Sequence, residues 1–392
     1  MTTTLDMQNQ KTNTKKHKKT TEYQSPIVSA LAEELAAGFE NPEKISGRCQ
    51  FDFVTESEES HCLSVCFDDV NLVMTSDPLM DKDAYIRMPL HVAEKIVTNV
   101  EGVDYRDPDI IGHMEMSGNL HLVNHLAKAL VKPSKMTQHT FHDATNTYRE
   151  AYASKAIVYL DSPTELEILE TIEQKIPFII RNPPTNTPHH AWSLDKLKES
   201  YGDVLLRVRS TTVKETVAEF VDKMSLVQNQ KAADVIEGHT KVYTEGCSLP
   251  WQMREDFLPH YFTTHDFSAP QIWLGCVPVD APASSLHRDP LDGFLYQLIG
   301  RKKVILFSPD QASLLYPMKA YNNYQPCWVK PETPNFKDFP LFKKAKSLEV
   351  VLHPGEILIQ PAGWFHAVYC LDSPTFSVSY FLQHPVGVTP FD

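Results

Sequence analysis

The sequence lacks the features that would place the protein in a membrane or on the secretory route. No run of about 18 apolar residues is present, so no membrane-spanning helix is expected. The start of the chain is polar and rich in lysine, without the apolar core of a secretory signal. We interpret residues 1–25 as a disordered basic tail that precedes the first folded segment.

Cysteine motifs for metals and a basic face for nucleic acids are also missing. The seven cysteines form no C-x-x-C pair, and Cys62 and Cys66 lie four apart without zinc-binding partners. Reduced thiols, and therefore a cytoplasmic location, are the expectation. The formal net charge is −13 and no folded stretch is strongly basic, so a nucleic-acid partner is not expected.

The chain is long enough for two domains, and its first part reads as a small α+β domain. A length of 392 residues with 42% hydrophobic residues can supply two ordinary cores. Helical periodicity and short apolar runs alternate between residues 26 and 132, which we assign to this first domain. The helices are predicted near 26–38, 88–100 and 119–132, and the strands near 47–54, 61–69, 71–77 and 110–118.

The pattern changes after a polar segment. Residues 133–155 lack clear periodicity and are interpreted as a linker. Residues 156–392 begin with two helical patterns and continue with many short strand-like runs that proline and glycine interrupt. This alternation predicts a mainly-β domain of the sandwich or open-barrel type.

One histidine–aspartate pair has the context of a metal site. With 17 histidines and 50 acidic residues in the chain, roughly two His-x-Asp or His-x-Glu pairs arise by chance, so the pair needs support. On a strand, His287 and Asp289 point to one face and Arg288 to the other. A later strand-like segment, after a Pro-Ala-Gly turn, supplies His366. Two imidazoles and one carboxylate form the facial triad that suits Fe(II), with open positions for a chelating 2-oxo acid and dioxygen.

The other histidines lack this context. His113-x-Glu115 is the second pair of this type, but it alternates with methionines and is interpreted as the polar face of a half-buried strand. The remaining groups are assigned to solvated loops or turns, namely His139 with His142 and Asp143, His189 with His190, and His353.

The C-terminal segments together resemble a known family. "IPFIIRNPP", "SLHRDPLDGFLYQLIGRKKVILFSPDQ" and "HPGEILIQPAGWFHAV" are similar to the entry segment and the two metal strands of the JmjC, cupin-like Fe(II)/2-oxoglutarate oxygenases. The likeness points to the small hydroxylase branch that includes the asparaginyl hydroxylase acting on hypoxia-inducible factor. It implies a mainly-β double-stranded β-helix, or jelly roll, for residues 156–392.

The resemblance also implies roles for individual residues. The three residues of the predicted triad match the iron ligands and would form the catalytic centre. Lys302 matches the lysine that pairs with the distal carboxylate of 2-oxoglutarate, and a buried carboxylate needs such a partner. Ser284 and Tyr243 match a hydroxyl and a tyrosine that contact the same cosubstrate, although Tyr243 also fits a purely structural role in the sheet. Lys303 would point to the opposite face, toward solvent.

The resemblance has departures as well as matches. The asparaginyl hydroxylase has asparagines where this chain has Gly293 and Ser379, at positions that help to hold the cosubstrate or shape the pocket. The implied reaction uses Fe(II), 2-oxoglutarate and O2 to hydroxylate a C–H bond, with release of succinate and CO2. No chromatin-reading module is visible, which favours hydroxylation over histone demethylation.

The N-terminal domain resembles a second family. "DAYIRMPLHVAEKIVTNV" and "GHMEMSGNLHLVNHLAKAL" are similar to sterol-carrier-protein-like domains, in which a curved sheet and helices enclose an apolar tunnel. The resemblance implies a domain that docks a hydrophobic or carrier-bound substrate, or one that dimerises without a catalytic role. Five methionines are candidates either to line such a tunnel or to fill a core, namely Met74, Met80, Met88, Met114 and Met116.

Three functions are open at this point. The leading one is a 2-oxoglutarate-dependent hydroxylase that acts on a small-molecule, lipid-like or protein substrate. The second is a lipid-binding or scaffold protein with an inactive cupin domain, and the intact triad with Lys302 argues against it. The third is a cupin metalloenzyme without a 2-oxo acid, which has no use for Lys302. The resemblance is also compatible with a homodimer, because enzymes of this branch often pair.

Overall fold

The computed structural model of the chain describes residues 23, 25–69, 71–98, 108–148, 157–208, 214–227, 242–262, 266–268, 270–279 and 281–382. The predicted basic tail lies almost wholly outside these residues. The chain divides into two compact units. The N-terminal unit includes residues 25–37, 44–98 and 108–127, and the C-terminal unit includes residues 38–43 and 128–382. None of the described helices is long and apolar enough to cross a membrane.

The N-terminal unit contains a five-stranded sheet and helices. The helices are α1 (Pro26–Gly38), α2 (Leu90–Thr98), α3 (Pro108–Ile111) and α4 (Leu120–Lys128). The strands are β1 (Gly47–Val54), β2 (Ser60–Phe67), β3 (Leu72–Thr75), β4 (Ala84–Pro89) and β5 (Glu115–Gly118). Their order is β3-β2-β1-β4-β5, and only the β1–β4 pair is parallel. Alternate residues of these strands, such as Phe53 and Val65, fill the core with Val92 of α2.

Two sequence-based expectations for this unit differ from the structure. Of the strand predicted near 110–118, only the last four residues are extended in the structure, and they form β5. This strand is exposed along its whole length, and His113 lies in the turn before it. Strand β4 ends in residues that the helical periodicity assigns to the following helix. Met80 is fully exposed, whereas Met88 is buried in the core. A pocket on this unit is lined by polar and apolar residues, among them Arg48 and Phe67, and by none of the five methionines.

The C-terminal unit is rich in strands. Its helices are α5 (Lys135–Thr147), α6 (Glu165–Glu173), α7 (Leu194–Tyr201), α8 (Val217–Leu226), α9 (Arg254–Phe257) and α10 (Ala312–Leu315). The shorter or peripheral strands are β6 (Val158–Asp161), β7 (Phe178–Arg181), β8 (Leu205–Arg207), β9 (Lys214–Thr216), β10 (Val242–Tyr243), β11 (Cys247–Ser248) and β16 (Gln325–Pro326). The central strands are β12 (Gln271–Cys276), β13 (Pro282–Arg288), β14 (Gly293–Ile299), β15 (Lys302–Phe307), β17 (Leu348–Leu352), β18 (Ile357–Gln360), β19 (Phe365–Cys370) and β20 (Thr375–Phe381).

Two sheets of this unit face each other across an apolar interior. The larger sheet has the order β10-β12-β20-β14-β18-β7-β6, with β11 beside β12, and the smaller has the order β16-β13-β19-β15-β17. Side chains of both sheets, such as Leu295, Leu358, Val304 and Val368, meet in one buried cluster. Within the described residues, these are separate sheets rather than one closed barrel. The arrangement supplies the two layers that a jelly roll requires.

Helix α5 occupies the segment that the sequence analysis interprets as a linker. The Ser134 side chain caps this helix by accepting a hydrogen bond from the backbone N–H of Thr137. Only Thr137 and Phe141 of the helix are buried, which explains why the sequence shows no clear apolar period there. The described part of residues 133–155 is therefore mostly helical, and the domain limits taken from the sequence stay predictions.

Candidate metal centre

Two neighbouring strands of the smaller sheet bring the candidate metal ligands together. Strands β13 and β19 are antiparallel, and His287 and His366 lie directly opposite each other in their register. Opposite residues point to the same face of a sheet, and the two ring centroids are 4.2 Å apart. Asp289 follows β13 directly. Its Oδ2 lies 3.7 Å from Nε2 of His287 and 3.4 Å from Nε2 of His366.

This cluster fits a divalent transition metal. Across the part of the chain that the structure describes, it is the one group of three His, Cys, Asp or Glu residues whose ligand atoms converge, all within 4.8 Å of one another. Two imidazole nitrogens and one carboxylate oxygen on a single side form the donor set that non-haem Fe(II) prefers. The other sides of such an ion stay open to small molecules.

Backbone carbonyls orient both imidazoles. Nδ1 of His287 donates to the carbonyl oxygen of Ser285 at 2.6 Å, and Nδ1 of His366 donates to the carbonyl oxygen of Trp364 at 3.3 Å. When Nδ1 carries the proton, the lone pair of a neutral imidazole is on Nε2. Nε2 is also the atom that each ring directs at Asp289, so both rings present their metal-binding nitrogen to the same point.

Burial makes a bound cation favourable at this position. Burial raises the pKa of the Asp289 carboxyl, and the nearby His287 partly offsets that rise. Burial, followed by the proximity of His287, lowers the pKa of His366 well below its ordinary value. His366 is therefore neutral and ready to coordinate, while the Asp289 carboxylate needs a positive partner in its place.

A turn connects the two halves of the site. The backbone N–H of Gly363 donates to the carbonyl oxygen of Asp289 at 2.9 Å, and the N–H of Ala362 donates to Oδ1 of Asp292 at 2.8 Å. Gly363 has φ +83°, a conformation that glycine adopts without strain. The turn therefore fixes the start of β19, and with it His366, against the segment that carries Asp289.

Arg288, between the two ligands in sequence, is buried on the other side of the sheet. Its Nε donates to Oε1 of Gln325 at 2.8 Å, and its Nη1 donates to Oγ1 of Thr145 at 3.2 Å. The guanidinium carbon lies 4.2 Å from the ring centroid of Phe141 and 4.8 Å from that of Phe365. Sequence alternation predicts that it points away from the site, but nothing in the sequence indicates that it is buried.

Lys302 is the buried cation of the interior. It is 1% exposed, and burial lowers its pKa to about 8. Its Nζ donates to the hydroxyl of Tyr243 at 3.3 Å and to Oγ of Ser377. The ion pairs among the described residues do not include it. Lys303 points to the opposite face, where its Nζ lies 5.1 Å from the ring centroid of Tyr369.

The predicted cosubstrate residues thus divide into two places. Tyr243 accepts a hydrogen bond from Lys302 and is 2% exposed. The Ser284 hydroxyl lies 3.4 Å from Nδ1 of His287, so its observed partner is a metal-ligand imidazole. Their contacts with a cosubstrate stay predictions.

Strand β20 contributes a residue that the sequence analysis does not name. Ser377 contacts Lys302, and Ser379, on the same face, accepts a hydrogen bond from Nε1 of Trp273 at 2.8 Å. A sequence pattern could have indicated this residue, because small polar residues alternate with Phe376 and Val378 along the strand. Such alternation indicates a polar inner face.

The other histidine groups form no metal site among the described residues. His139 and His142 lie on the exposed face of α5, and Nδ1 of His139 is 2.8 Å from Oδ2 of Asp143. These residues are therefore helical rather than part of a loop. The His113-x-Glu115 pair lies at the exposed strand β5, which is not half-buried as the sequence analysis expects.

With the fold and the site described, comparison with known proteins identifies the family. The model of the cupin-like domain matches residues 163–387, which is more than half of the chain. The chain belongs to the cupin-like domain family. The match contains both metal strands of this cupin-like protein and the strand that carries Lys302.

Several curated proteins are similar to the cupin-like region. Lysine-specific demethylase 8 of Xenopus tropicalis is 30% identical over 171 residues, which cover 42% of this chain and 36% of that protein. Lysine-specific demethylase 8 of Danio rerio is 29% identical over 206 residues, or 49% of this chain and 48% of that protein. The tRNA wybutosine-synthesizing protein 5 of Danio rerio is 25% identical over 250 residues, or 58% of this chain and 74% of that protein. The chain thus spans less than half the length of either demethylase.

Proposed function

We propose that this cupin-like protein is an Fe(II)- and 2-oxoglutarate-dependent oxygenase that hydroxylates a C–H bond and releases succinate and CO2. The observation that carries the proposal is Lys302, a buried cation that forms no ion pair among the described residues and faces the same interior as the metal ligands. A desolvated ammonium group is costly without an anion. The distal carboxylate of 2-oxoglutarate would supply that anion.

Each residue of the site has a separate task in this proposal. His287, Asp289 and His366 would hold the iron, which with a bound 2-oxo acid supplies the activation of dioxygen. Lys302 would bind the far carboxylate of 2-oxoglutarate through a charge-assisted hydrogen bond. The Tyr243 hydroxyl holds the ammonium group in place. The apolar cluster between the sheets excludes water from the bound cosubstrate.

The experiment that tests the proposal is a measurement of succinate formed from 2-oxoglutarate with ferrous iron and ascorbate. A panel of small-molecule, lipid and protein substrates accompanies it, since the primary substrate is not identified. Asp289→Ala removes a metal ligand and is expected to abolish succinate formation. Lys302→Met is expected to raise the Kd of 2-oxoglutarate by at least about tenfold, because a hydrogen bond to a charged group is lost.

Lys303→Met is the matched control, because this neighbouring lysine points away from the interior. It should leave 2-oxoglutarate binding unchanged. If no 2-oxoglutarate binds to the iron-loaded protein, the chain is either a cupin metalloenzyme without a 2-oxo acid or a scaffold with an inactive site. Metal binding separates those two alternatives, since only the metalloenzyme retains it.

The substrate is the open part of the proposal. The similar proteins carry names that refer to lysine demethylation and to tRNA wybutosine synthesis. The resemblance to the small hydroxylase branch supports hydroxylation. The absence of a strongly basic stretch from the predicted folded segments argues against a nucleic-acid substrate. A small molecule, a lipid-like molecule or a protein side chain is therefore the proposed substrate class.

The N-terminal unit is proposed as a docking domain. Its resemblance to sterol-carrier-protein-like domains supports a role in binding the hydrophobic part of a substrate or a second copy of the chain. A five-stranded sheet with helices is compatible with that resemblance. Binding of a fluorescent fatty acid to the full chain tests the role, and no binding would leave dimerisation, measured by light scattering, as the alternative.

A further inference from the structure

Gln360 carries a buried carboxamide group that the fold does not use. The residue ends strand β18, is 7% exposed, and its Nε2 has no hydrogen-bond partner among the described residues. Along β18, Leu358 belongs to the cluster between the two sheets, while Ile357 and Ile359 belong to the cluster on the outer side. Alternation therefore places Gln360 on the inner face with Leu358. A buried donor without an acceptor is unfavourable unless something else binds it.

The polar groups of the interior between the two sheets lie at two positions along the strand direction. We call these positions the lysine level, at Lys302, and the histidine level, at His366. Lys302 is opposite Cys370, and Leu306 is opposite His366, so the lysine and histidine levels are four residues, or about 13 Å, apart. On the larger sheet, Ser377 contacts Lys302 and is opposite Gln297. Gly293 on β14 lies four residues from Gln297. It is therefore also about 13 Å from the lysine level along the strand.

Gln360 belongs to the level of the metal ligands. It is opposite Gly293 in the register of β14 and β18. Gly293 follows Asp289 by four residues, and Gly363, three residues after Gln360, donates its N–H to the carbonyl of Asp289. Both members of the pair are therefore close in the chain to the metal-binding segments and lie at the end of the interior away from Lys302.

Gly293 leaves the space into which this carboxamide extends. A Cβ atom at position 293 would lie 3.5 Å from Oε1 of Gln360 and 3.3 Å from Cε1 of Phe381. Such a Cβ atom would be in ordinary van der Waals contact with the carboxamide and in tighter contact with the Phe381 ring, so a longer side chain would compete with both for this space. The absence of a side chain on one strand thus makes room for an amide group on its neighbour.

We propose that Gln360 donates a hydrogen bond from Nε2 to the carboxylate of the 2-oxo acid at its metal-binding end. The inference rests on the proposed function and extends it: Lys302 binds one end of the cosubstrate and Gln360 the other. Gln360 is then a residue that determines both affinity and the position of the chelating group.

The test compares two ligands that share one end. In 2-oxopentanoate the 2-oxo acid group of 2-oxoglutarate is retained and the distal carboxylate is absent. Both are titrated by calorimetry into the Fe(II)-loaded full chain without oxygen. Gln360→Leu, which is similar in size, is expected to weaken both ligands by about the same factor, roughly tenfold. Lys302→Met is expected to weaken 2-oxoglutarate and leave 2-oxopentanoate unchanged.

A second readout separates a binding role from a structural one. Because no described residue accepts a hydrogen bond from Nε2, the metal-free Gln360→Leu protein should unfold at the same or a higher urea concentration than the unsubstituted protein. Gln360→Met replaces it if the leucine variant does not fold. Unchanged affinity for both ligands, a loss for 2-oxoglutarate alone, or clear destabilisation would each overturn the inference. Binding of neither ligand to the unsubstituted protein would instead remove the proposed function itself.

Discussion

Lys302 carries its charge in a place that water does not reach. The side chain is 1% exposed, and its hydrogen-bond partners among the described residues are two hydroxyl groups rather than a carboxylate. Burial lowers its pKa from the ordinary 10.5 to about 8. A residue of this kind destabilises the ligand-free protein, which is expected where a binding site is prepared for an anion.

Replacing Lys302 with methionine should therefore stabilise the ligand-free protein. The folded-state pKa lies below the unfolded-state value, so the cost of the charge is fully present below pH 8 and disappears as the pH rises toward 10.5. We expect the free energy of unfolding to rise by about 1–3 kcal/mol at pH 7, and by less at pH 9.5. Urea unfolding at both pH values measures the effect. A less stable variant at pH 7 would contradict it.

The same pKa predicts how cosubstrate affinity depends on pH. A neutral lysine cannot pair with a carboxylate, so the Kd of 2-oxoglutarate should increase as the pH rises through about 8 and beyond. Calorimetric titrations between pH 7 and 9.5 measure this increase. 2-Oxopentanoate, which has no distal carboxylate, is the control and should show a smaller change. Parallel curves for the two ligands would show that Lys302 is not the anchor.

At the scale of the elements, the two faces of strand β13 have different contacts. One face presents His287 to the interior, while Arg288 on the other face connects the strand to α5 through Thr145 and to β16 through Gln325. The guanidinium group lies against two aromatic rings, which adds cation–π attraction. The strand that carries the candidate ligand His287 therefore contacts a helix in a segment that the sequence analysis interprets as a linker.

Arg288→Ala should destabilise the C-terminal unit by about 2–4 kcal/mol, because it leaves a cavity and removes a hydrogen-bond partner from the buried Gln325 and from the half-buried Thr145. Thr145→Val removes only one of these hydrogen bonds and should cost about 1 kcal/mol. Urea unfolding of both variants gives the comparison. Equal stability of Arg288→Ala and the unsubstituted protein would mean that the connection to α5 contributes nothing.

The turn before β19 depends on Gly363. A Cβ atom there would lie 2.4 Å from Cβ of Ala144 in α5, and the φ of +83° is unfavourable for alanine. Gly363→Ala should shift the turn and weaken Co(II) binding by about tenfold through the displacement of His366 and Asp289. Gly355→Ala is the matched control, since its φ is +90° and its Cβ would meet His189 rather than the metal site. If both variants bind Co(II) equally well, the turn does not position the ligands.

Over the whole molecule, the chain forms two compact units, and the metal ligands all belong to the C-terminal one. A ligand that binds only the folded state, at a free concentration of about 100 times its Kd, stabilises that state by about 2.7 kcal/mol. Iron with 2-oxoglutarate should therefore raise the unfolding temperature of the C-terminal unit only. Scanning calorimetry with and without these ligands measures the shift, and Asp289→Ala should abolish it. An equal shift of every transition would show that the two units unfold together.

The sequence by itself singled out the candidate metal ligands and predicted most of the strands around them. Metal ligands must be particular residue types at spacings that match the period of a strand, and apolar alternation follows directly from one-sided burial. His287, Asp289 and His366 could therefore be singled out together, and the strand that begins at Lys302 could be placed at its first residue. The sequence did not indicate helix α5, because few of its residues are buried and its apolar period is therefore weak.

Only the tertiary structure decided which distant residues meet. Ser377 contacts Lys302, Gln360 fills the space beside Gly293, and Thr145 accepts from Arg288. Each of these contacts joins segments far apart in the chain, and each depends on the register between strands or on the packing of a helix against a sheet. Local sequence patterns do not indicate which residues of two strands lie opposite each other. A few residue types therefore indicated the candidate site, while the residues that surround it were decided by the packing of the two sheets.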